Sequence, residues 1–170
     1  MNFTFKQMTQ EEAETIAYKW KYKDKYSFYD ITEDKEDLKE ILDIKGRKNF
    51  YFSVFRDNKL IGYFTFKIIE PKTVIIGLGM HPDHVGKGEG LSFLTAGIEY
   101  AQERYSNSIF TLSVAEFNVR AIKVYEHAGF EKIETFIQET NGGKYPFMAL
   151  PAIWWKGKGS IYLSEKELQF

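Results

Sequence analysis

Three glycines stand at positions 86, 88 and 90, with Lys87 and Glu89 between them, in the run G-M-H-P-D-H-V-G-K-G-E-G-L of residues 79–91. An apolar run, V-I-I-G-L-G-M, leads into them, and an amphipathic run, L-S-F-L-T-A-G-I-E-Y-A, leaves them. A helix start leaves backbone N–H groups without internal partners, and its dipole favours negative charge. Glycine at such a junction lets a bulky anion approach the backbone, so residues 85–90 suit a phosphate cradle. Two common cradles do not fit. A P-loop requires glycine at position 81 and Ser or Thr at 88, where this chain has His81 and Gly88. A dinucleotide fingerprint starting at Gly86 requires glycine at 91, which is Leu91. A glycine turn that holds no ligand is the plainer alternative.

Other residues could carry chemistry. Asn118 and Tyr125 lie seven apart. On a helix that spacing returns to nearly the same face, about 10 Å along the axis, so both can border one groove. His81 and His84 have an H-x-x-H spacing. With Pro82 between them and no cysteine in the chain, no metal site is read there.

Composition narrows the class. With 170 residues and 44% apolar content, one domain with a sizeable core is expected. A net charge of −1 shows no nucleic-acid footprint. The absence of cysteine excludes a disulfide framework, a thiolate metal site and a Cys nucleophile. It also agrees with an expected cytoplasmic location. M-N-F-T-F-K-Q-M-T does not read as a secretory signal, and no apolar window is long enough to span a membrane.

The elements that must position these residues follow from periodicity and caps. Phe3–Met8 alternates like a strand. Thr9 with Glu12 forms a capping box for a helix to about Trp20. Thr32 reads as the cap of a second helix with Leu38, Ile41 and Leu42 on its apolar face. Strands are expected at Asn49–Arg56, Leu60–Ile69 and Thr73–Met80, the last buried on both faces. The helix after the glycines would commit Leu91, Leu94, Ile98, Ala101 and Tyr105 to the core. A strand at Ile109–Val114, a short helix from Asn118 to Gly129, and strands at Phe130–Glu139 and Lys144–Leu150 around Asn141-Gly142-Gly143 complete the order β-α-α-β-β-β-α-β-α-β-β. That is an α/β fold with one mixed sheet, residues 1–150 as the domain and 151–170 as a C-terminal extension.

The ordered set is Met80-x-Pro82, Gly86-x-Gly88-x-Gly90 before an amphipathic helix, then a strand, Asn118, Ala121-x-x-x-Tyr125 and Gly129-Phe130. It resembles the GCN5-related N-acetyltransferase (GNAT) family over about residues 50–150. The family's turn pattern is Arg/Gln-x-x-Gly-x-Gly/Ala, whose amides hold the pyrophosphate of acetyl-coenzyme A. The resemblance therefore implies a GNAT-like acyltransferase fold and acetyl-CoA as co-substrate. It also implies coenzyme contacts from Met80, His81, Val85, Gly86, Lys87, Gly88, Glu89, Gly90, Asn118 and Tyr125. Asp83 stands where Arg or Gln is usual, and Lys87 is the expected compensation.

The resemblance assigns Tyr125 as the general acid that protonates the departing thiolate, against a packed aromatic with a solvated hydroxyl. It assigns the Met80 N–H to the thioester oxygen. Asn118 is read as a helix cap, a coenzyme contact, or both. Gly77 and Gly79 either splay the strand to admit the pantetheine arm or relieve packing. The general base is left among Glu116, Glu70, Asp83, His81 and water.

For the acceptor, the family places the first two helices and the C-terminal hairpin around it. Trp20, Tyr22, Tyr26, Phe28 and Tyr29 beside Asp24, Asp30, Asp34 and Asp37 suit a cationic amine, or else belong to the core. Tyr26, Tyr29 and Glu116 are the named acceptor candidates. The partner is thus a small-molecule amine or a protein N-terminus, with neither nucleic acid nor membrane. A coenzyme-sensing module without turnover is the second reading. Trp154-Trp155 reads as folded over the sheet or as a patch for a homodimer partner.

Overall fold

A computed structural model describes residues 2–69 and 72–152. Glu70 and the Trp154-Trp155 pair lie outside those residues. The elements in chain order are β1 (Thr4–Gln7), α1 (Gln10–Lys19), α2 (Lys35–Leu42), β2 (Tyr51–Arg56), β3 (Lys59–Ile69), β4 (Thr73–Met80), α3 (Gly90–Arg104), β5 (Ile109–Ala115), α4 (Val119–His127), β6 (Glu134–Thr140) and β7 (Gly143–Pro151). The expected order of helices and strands is the observed one. The seven strands form one mixed sheet, β1-β2-β3-β4-β5-β7-β6, in which only β4 and β5 run parallel.

Local chemistry sets most boundaries. Thr9 Oγ1 accepts from the Glu12 N–H, and the Glu12 carboxylate accepts from the Thr9 N–H, which starts α1. The cap of α2 is Asp34 rather than Thr32. The Asp34 carboxylate accepts from the amides of Glu36 and Asp37, while Thr32 lies in a 3₁₀ turn, Ile31–Glu33. The aromatic stretch before it also forms a 3₁₀ turn, Asp24–Tyr29. Asn141 (φ 50) and Gly142 (φ 70) make the two-residue hairpin between β6 and β7. β6 begins at Glu134 rather than Phe130. Phe130 joins Ala152 in an isolated bridge, and the regular ladder starts four residues later. Pro151 and Ala152 belong to the sheet, the Ala152 N–H donating to the Phe110 carbonyl.

The two faces of the sheet carry two cores. Phe52, Phe64, Phe66, Phe93, Leu94, Ile98 and Phe110 belong to the larger one, on the α3 side. Ala13, Ile16, Ala17, Trp20, Ile41 and Tyr51 form the smaller one, under α1 and α2. Each fully buried Phe, Leu or Ile among them stabilises the fold by about 1.5–3 kcal/mol. Leu91 departs from its expected core position and is 41% exposed, whereas Phe93 is 1% exposed. Leu94, Ile98 and Ala101 are buried as expected, Phe93 joins them in the core, and Leu91, in the first turn of α3, borders a cleft beside β4.

β4 pairs with β5 only from Thr73↔Ile109 to Ile75↔Thr111. Beyond that, β5 follows β7 through Ala115, and β4 stays with β3 through Met80. The parallel pair therefore splits. The expectation that β4 is buried on both faces holds only for its first half: Thr73, Val74 and Ile76 are buried, whereas every residue from Gly77 to Met80 is partly exposed and borders the split.

Candidate active site

The split continues into a cleft of about 660 Å³. One wall is the exposed edge of β4. The Gly62↔Met80 register, with the His81 N–H donating 2.8 Å to the Ile61 carbonyl, makes Met80 and Leu78 non-hydrogen-bonded positions toward β3. Their N–H and C=O groups consequently face the split. The Tyr22 hydroxyl donates to the Met80 carbonyl at 2.9 Å, and the Met80 N–H is left facing the cleft. Gly77 and Gly79 are explained by packing from β3. A Cβ at Gly77 would run into Thr65 Oγ1, and one at Gly79 into the Tyr63 ring.

At the floor of the cleft the chain turns from β4 into α3. Gly86 (φ 80) and Gly88 (φ 79) are left-handed, a conformation that disfavours any side chain. The amides of His84 and Val85 donate within the turn, to the His81 and Pro82 carbonyls. Among the described residues, the amides of Gly86 to Leu91 find no acceptor. These free donors surround the positive end of α3 and fit an anionic group.

Glu89 braces this turn from outside. Its carboxylate accepts from Arg56 Nη2 at 3.2 Å and lies 3.0 Å from His84 Nδ1. The hydrogen bond from Arg56, seconded by His84, holds Glu89 below the usual carboxylate range. Asp83, at the position where Arg or Gln was expected, points to solvent and is 85% exposed. The brace is therefore built from three residues of β2, the turn and the α3 cap.

α4 supplies the opposite wall. Asn118 Oδ1 accepts from the Ala121 N–H at 3.2 Å, so Asn118 caps the helix and also borders the cleft. Tyr125 is 8% exposed, and its hydroxyl makes no hydrogen bond among the described residues. Burial, with a smaller contribution from Tyr29, raises its pKa, so the phenol is neutral at physiological pH. The Tyr29 hydroxyl is buried close to the Asn118 side chain and the Ala115 backbone but completes no hydrogen bond of good geometry.

Over residues 10–130 the sequence matches the profile of the Acetyltransferase (GNAT) family. The chain belongs to that family.

The GNAT chain is 30% identical over 135 residues to the acetyltransferase PseH of Campylobacter jejuni, covering 76% of this chain and 82% of that one. It spans only 25% and 27% of the length of two further curated relatives that it matches. Among solved structures, a spermidine N-acetyltransferase SpeG chimera from Vibrio cholerae superposes with a TM-score of 0.66 at 20% identity, covering 88% of this chain and 94% of that one. The structure of yncA from Salmonella typhimurium, solved with acetyl-CoA, superposes with a TM-score of 0.64 at 15% identity, over 92% and 96%. At such identities these two likenesses establish the fold.

In this GNAT fold, Met80, Val85, Gly86, Gly88, Gly90, Asn118 and Tyr125 line the one cleft, and so do Tyr26 and Tyr29. Four expected residues do not line it. The His81 ring packs edge-on against Trp20 at 5.0 Å, and its Nδ1 accepts from the Asp83 N–H. Lys87 lies outside the lining, and the Glu89 carboxylate is held by Arg56 and His84. Glu116 is not part of the lining; it accepts from Thr135 Oγ1 at 3.1 Å and pairs with Lys132 at 3.7 Å. Trp20 is a core residue, 4% exposed, rather than an acceptor wall. No group of residues suited to hold a metal occurs among the described residues. Nor is any described helix long and apolar enough to cross a membrane.

Spacing along the chain did not reveal three cleft residues. Arg120 stacks its guanidinium 4.0 Å above the Tyr26 ring. The Tyr63 ring, on β3, reaches the cleft over Gly79. Asp37, counted only as one of several acids near the aromatics, opens into the cleft. Its side chain accepts no hydrogen bond among the described residues, and burial followed by repulsion from Asp34 and Glu40 pushes its pKa up to about 6. The residue is nonetheless exposed to solvent, and the nearby Lys67 charge works against the rise. Beside it, Glu40 is already paired with Lys67 at 2.7 Å and with the Tyr51 hydroxyl at 2.8 Å.

Proposed function

We propose that this GNAT protein moves an acetyl group from acetyl-CoA to a primary amine within one ternary complex. The observation that carries the reading is the β4–β5 split, which exposes the Met80 N–H and brings the Tyr125 hydroxyl and the free amides after Gly86 to a single cleft. Acetyl-CoA supplies an activated acetyl group as a thioester, and its phosphates suit the amides of Gly86, Gly88 and Gly90.

The chain's own groups then have distinct tasks. The Met80 N–H donates to the thioester oxygen, in the way fixed backbone dipoles stabilise developing negative charge. The ammonium of the acceptor first gives one proton to solvent. The neutral nitrogen forms the C–N bond as the C–S bond breaks, and Tyr125 Oη gives a proton to the sulfur that leaves. Its own proton is restored through solvent by the one the amide nitrogen sheds. Burial raises the pKa of the phenol, and it raises that of a thiolate in the same cleft too, so the transfer stays matched. Tyr29 offers its ring to the acceptor, and Asp37 offers an unpaired carboxylate, which together favour a cationic small-molecule amine. A peptide N-terminus is the other amine with this chemistry.

The test is thiol release from acetyl-CoA across a panel of mono-, di- and polyamines and peptides, with mass spectrometry of the products. Release that depends on an amine and yields an acetylated amine supports the reading. Tight coenzyme binding with no release for any acceptor would instead support a sensor.

A further inference from the structure

Backbone amides alone leave a diphosphate's two negative charges without a cation, and Asp83 brings the wrong sign. Lys87, the neighbouring cation in sequence, does not line the cleft. Arg120 does. From the first turn of α4, its Nη1 is the one heavy atom near the position a Cβ would occupy on Gly86, at 3.8 Å. Among the described residues Arg120 has no acidic partner, and its guanidinium lies over the Tyr26 ring at 4.0 Å. The charge is therefore held beside the cradle and is not neutralised. Arg120 thereby lies against two segments at once, the 3₁₀ turn Asp24–Tyr29 through Tyr26 and the turn before α3 near Gly86.

We infer that Arg120 is the cation that pairs with the diphosphate of the coenzyme, and that the Tyr26 ring positions its guanidinium for that contact. This rests on the acetyl-CoA reading above. Arg suits the task because its planar fork can take two phosphate oxygens while its face stays on an aromatic ring. Tyr26, named from the sequence as an acceptor contact, thereby becomes a positioning residue for the coenzyme. Arg120 acts in binding rather than in the chemical step.

The experiment compares acetyl donors that carry different phosphates. Wild-type protein is first assayed with acetyl-CoA, 3′-dephospho-acetyl-CoA and S-acetylpantetheine, which has no phosphate. Arg120→Ala is expected to lower kcat/KM about tenfold for both phosphate-bearing donors, by the loss of a charge-assisted contact, and to leave S-acetylpantetheine within twofold. Arg120→Lys should recover part of the loss, and Tyr26→Ala should reproduce part of it, while Lys87→Ala should change little. An equal loss with all three donors would mean a structural role and would overturn the inference. So would a loss that vanishes with the 3′-dephospho donor, which would assign the guanidinium to the 3′-phosphate. A loss carried by Lys87→Ala instead would overturn it too. Wild-type protein that neither binds nor uses acetyl-CoA would remove the functional reading itself, and this inference with it.

Discussion

Tyr22 and Met80 are joined by a 2.9 Å hydrogen bond from the phenol to the main-chain carbonyl, across 58 positions of sequence. The bond ties the segment after α1 to the last residue of β4. It also fixes the peptide plane next to the one whose N–H faces the cleft. Tyr22→Phe is therefore expected to lower kcat several-fold with the KM for acetyl-CoA little changed. The fold should lose only about 1 kcal/mol, the usual net worth of one such bond. Steady-state kinetics and a denaturant melt separate the two effects.

Tyr125→Phe should separate chemistry from stability. The hydroxyl has no partner among the described residues, so its loss leaves no orphaned group. Thermal stability should stay equal or rise slightly. Turnover should drop by about 10²-fold or more, in line with the removal of a general acid. Unchanged turnover across a pH series would refute the role given to Tyr125.

Glu89→Gln tests the brace around the glycine turn. Gln keeps the shape but loses the charge that faces Arg56 and His84. Partly exposed pairs of this kind are worth about 1 kcal/mol or less, so the fold should survive. The free amides of the turn should become less well ordered, and the Kd for acetyl-CoA should rise several-fold by calorimetry. The KM for the amine should not move.

Asp37 predicts a pH dependence. Its folded-state pKa is about 6, against an ordinary value of 3.8. Between those pH values the folded protein holds a proton that the unfolded chain releases, so stability falls as pH rises through the window. Asp37→Asn, which carries no charge, should gain thermal stability relative to wild type from pH 4 to 6 and keep that gain above it. The amine KM of the wild type should fall as pH rises past about 6, while that of Asp37→Asn should be flat. A parallel pH profile for both proteins would show that Asp37 does not meet the acceptor.

Much of the fold was legible because its signals are local. Thr9 and Glu12 cap each other three residues apart. Asn141-Gly142 closes a two-residue hairpin, and Gly86 and Gly88 take left-handed angles that few other residues accept. Short-range rules of this kind give the order of elements and locate the strand-to-helix turn. The misread positions are those where a distant contact outweighed a local preference. Asp34 displaced Thr32 as a cap while its carboxylate also accepts from Thr140 and from the Asn141 amide, more than a hundred residues on. Glu116 and Glu89 looked available from sequence, yet Lys132 with Thr135 claims the first, and Arg56 with His84 the second.

The sequence by itself thus determined an α/β chain with a glycine turn between a strand and a helix, and with Asn118 and Tyr125 two helical turns apart. Only the tertiary structure decided that β4 and β5 part after Ile75, that the cleft so formed is lined by Arg120, Tyr63 and Asp37, and that Lys87 is left outside it. The reason is physical. Turns and caps are settled within a few residues by backbone sterics and nearby hydrogen bonds. Where a strand separates from its neighbour, and which charge faces the gap, depends on side chains packed from elements far apart in the chain.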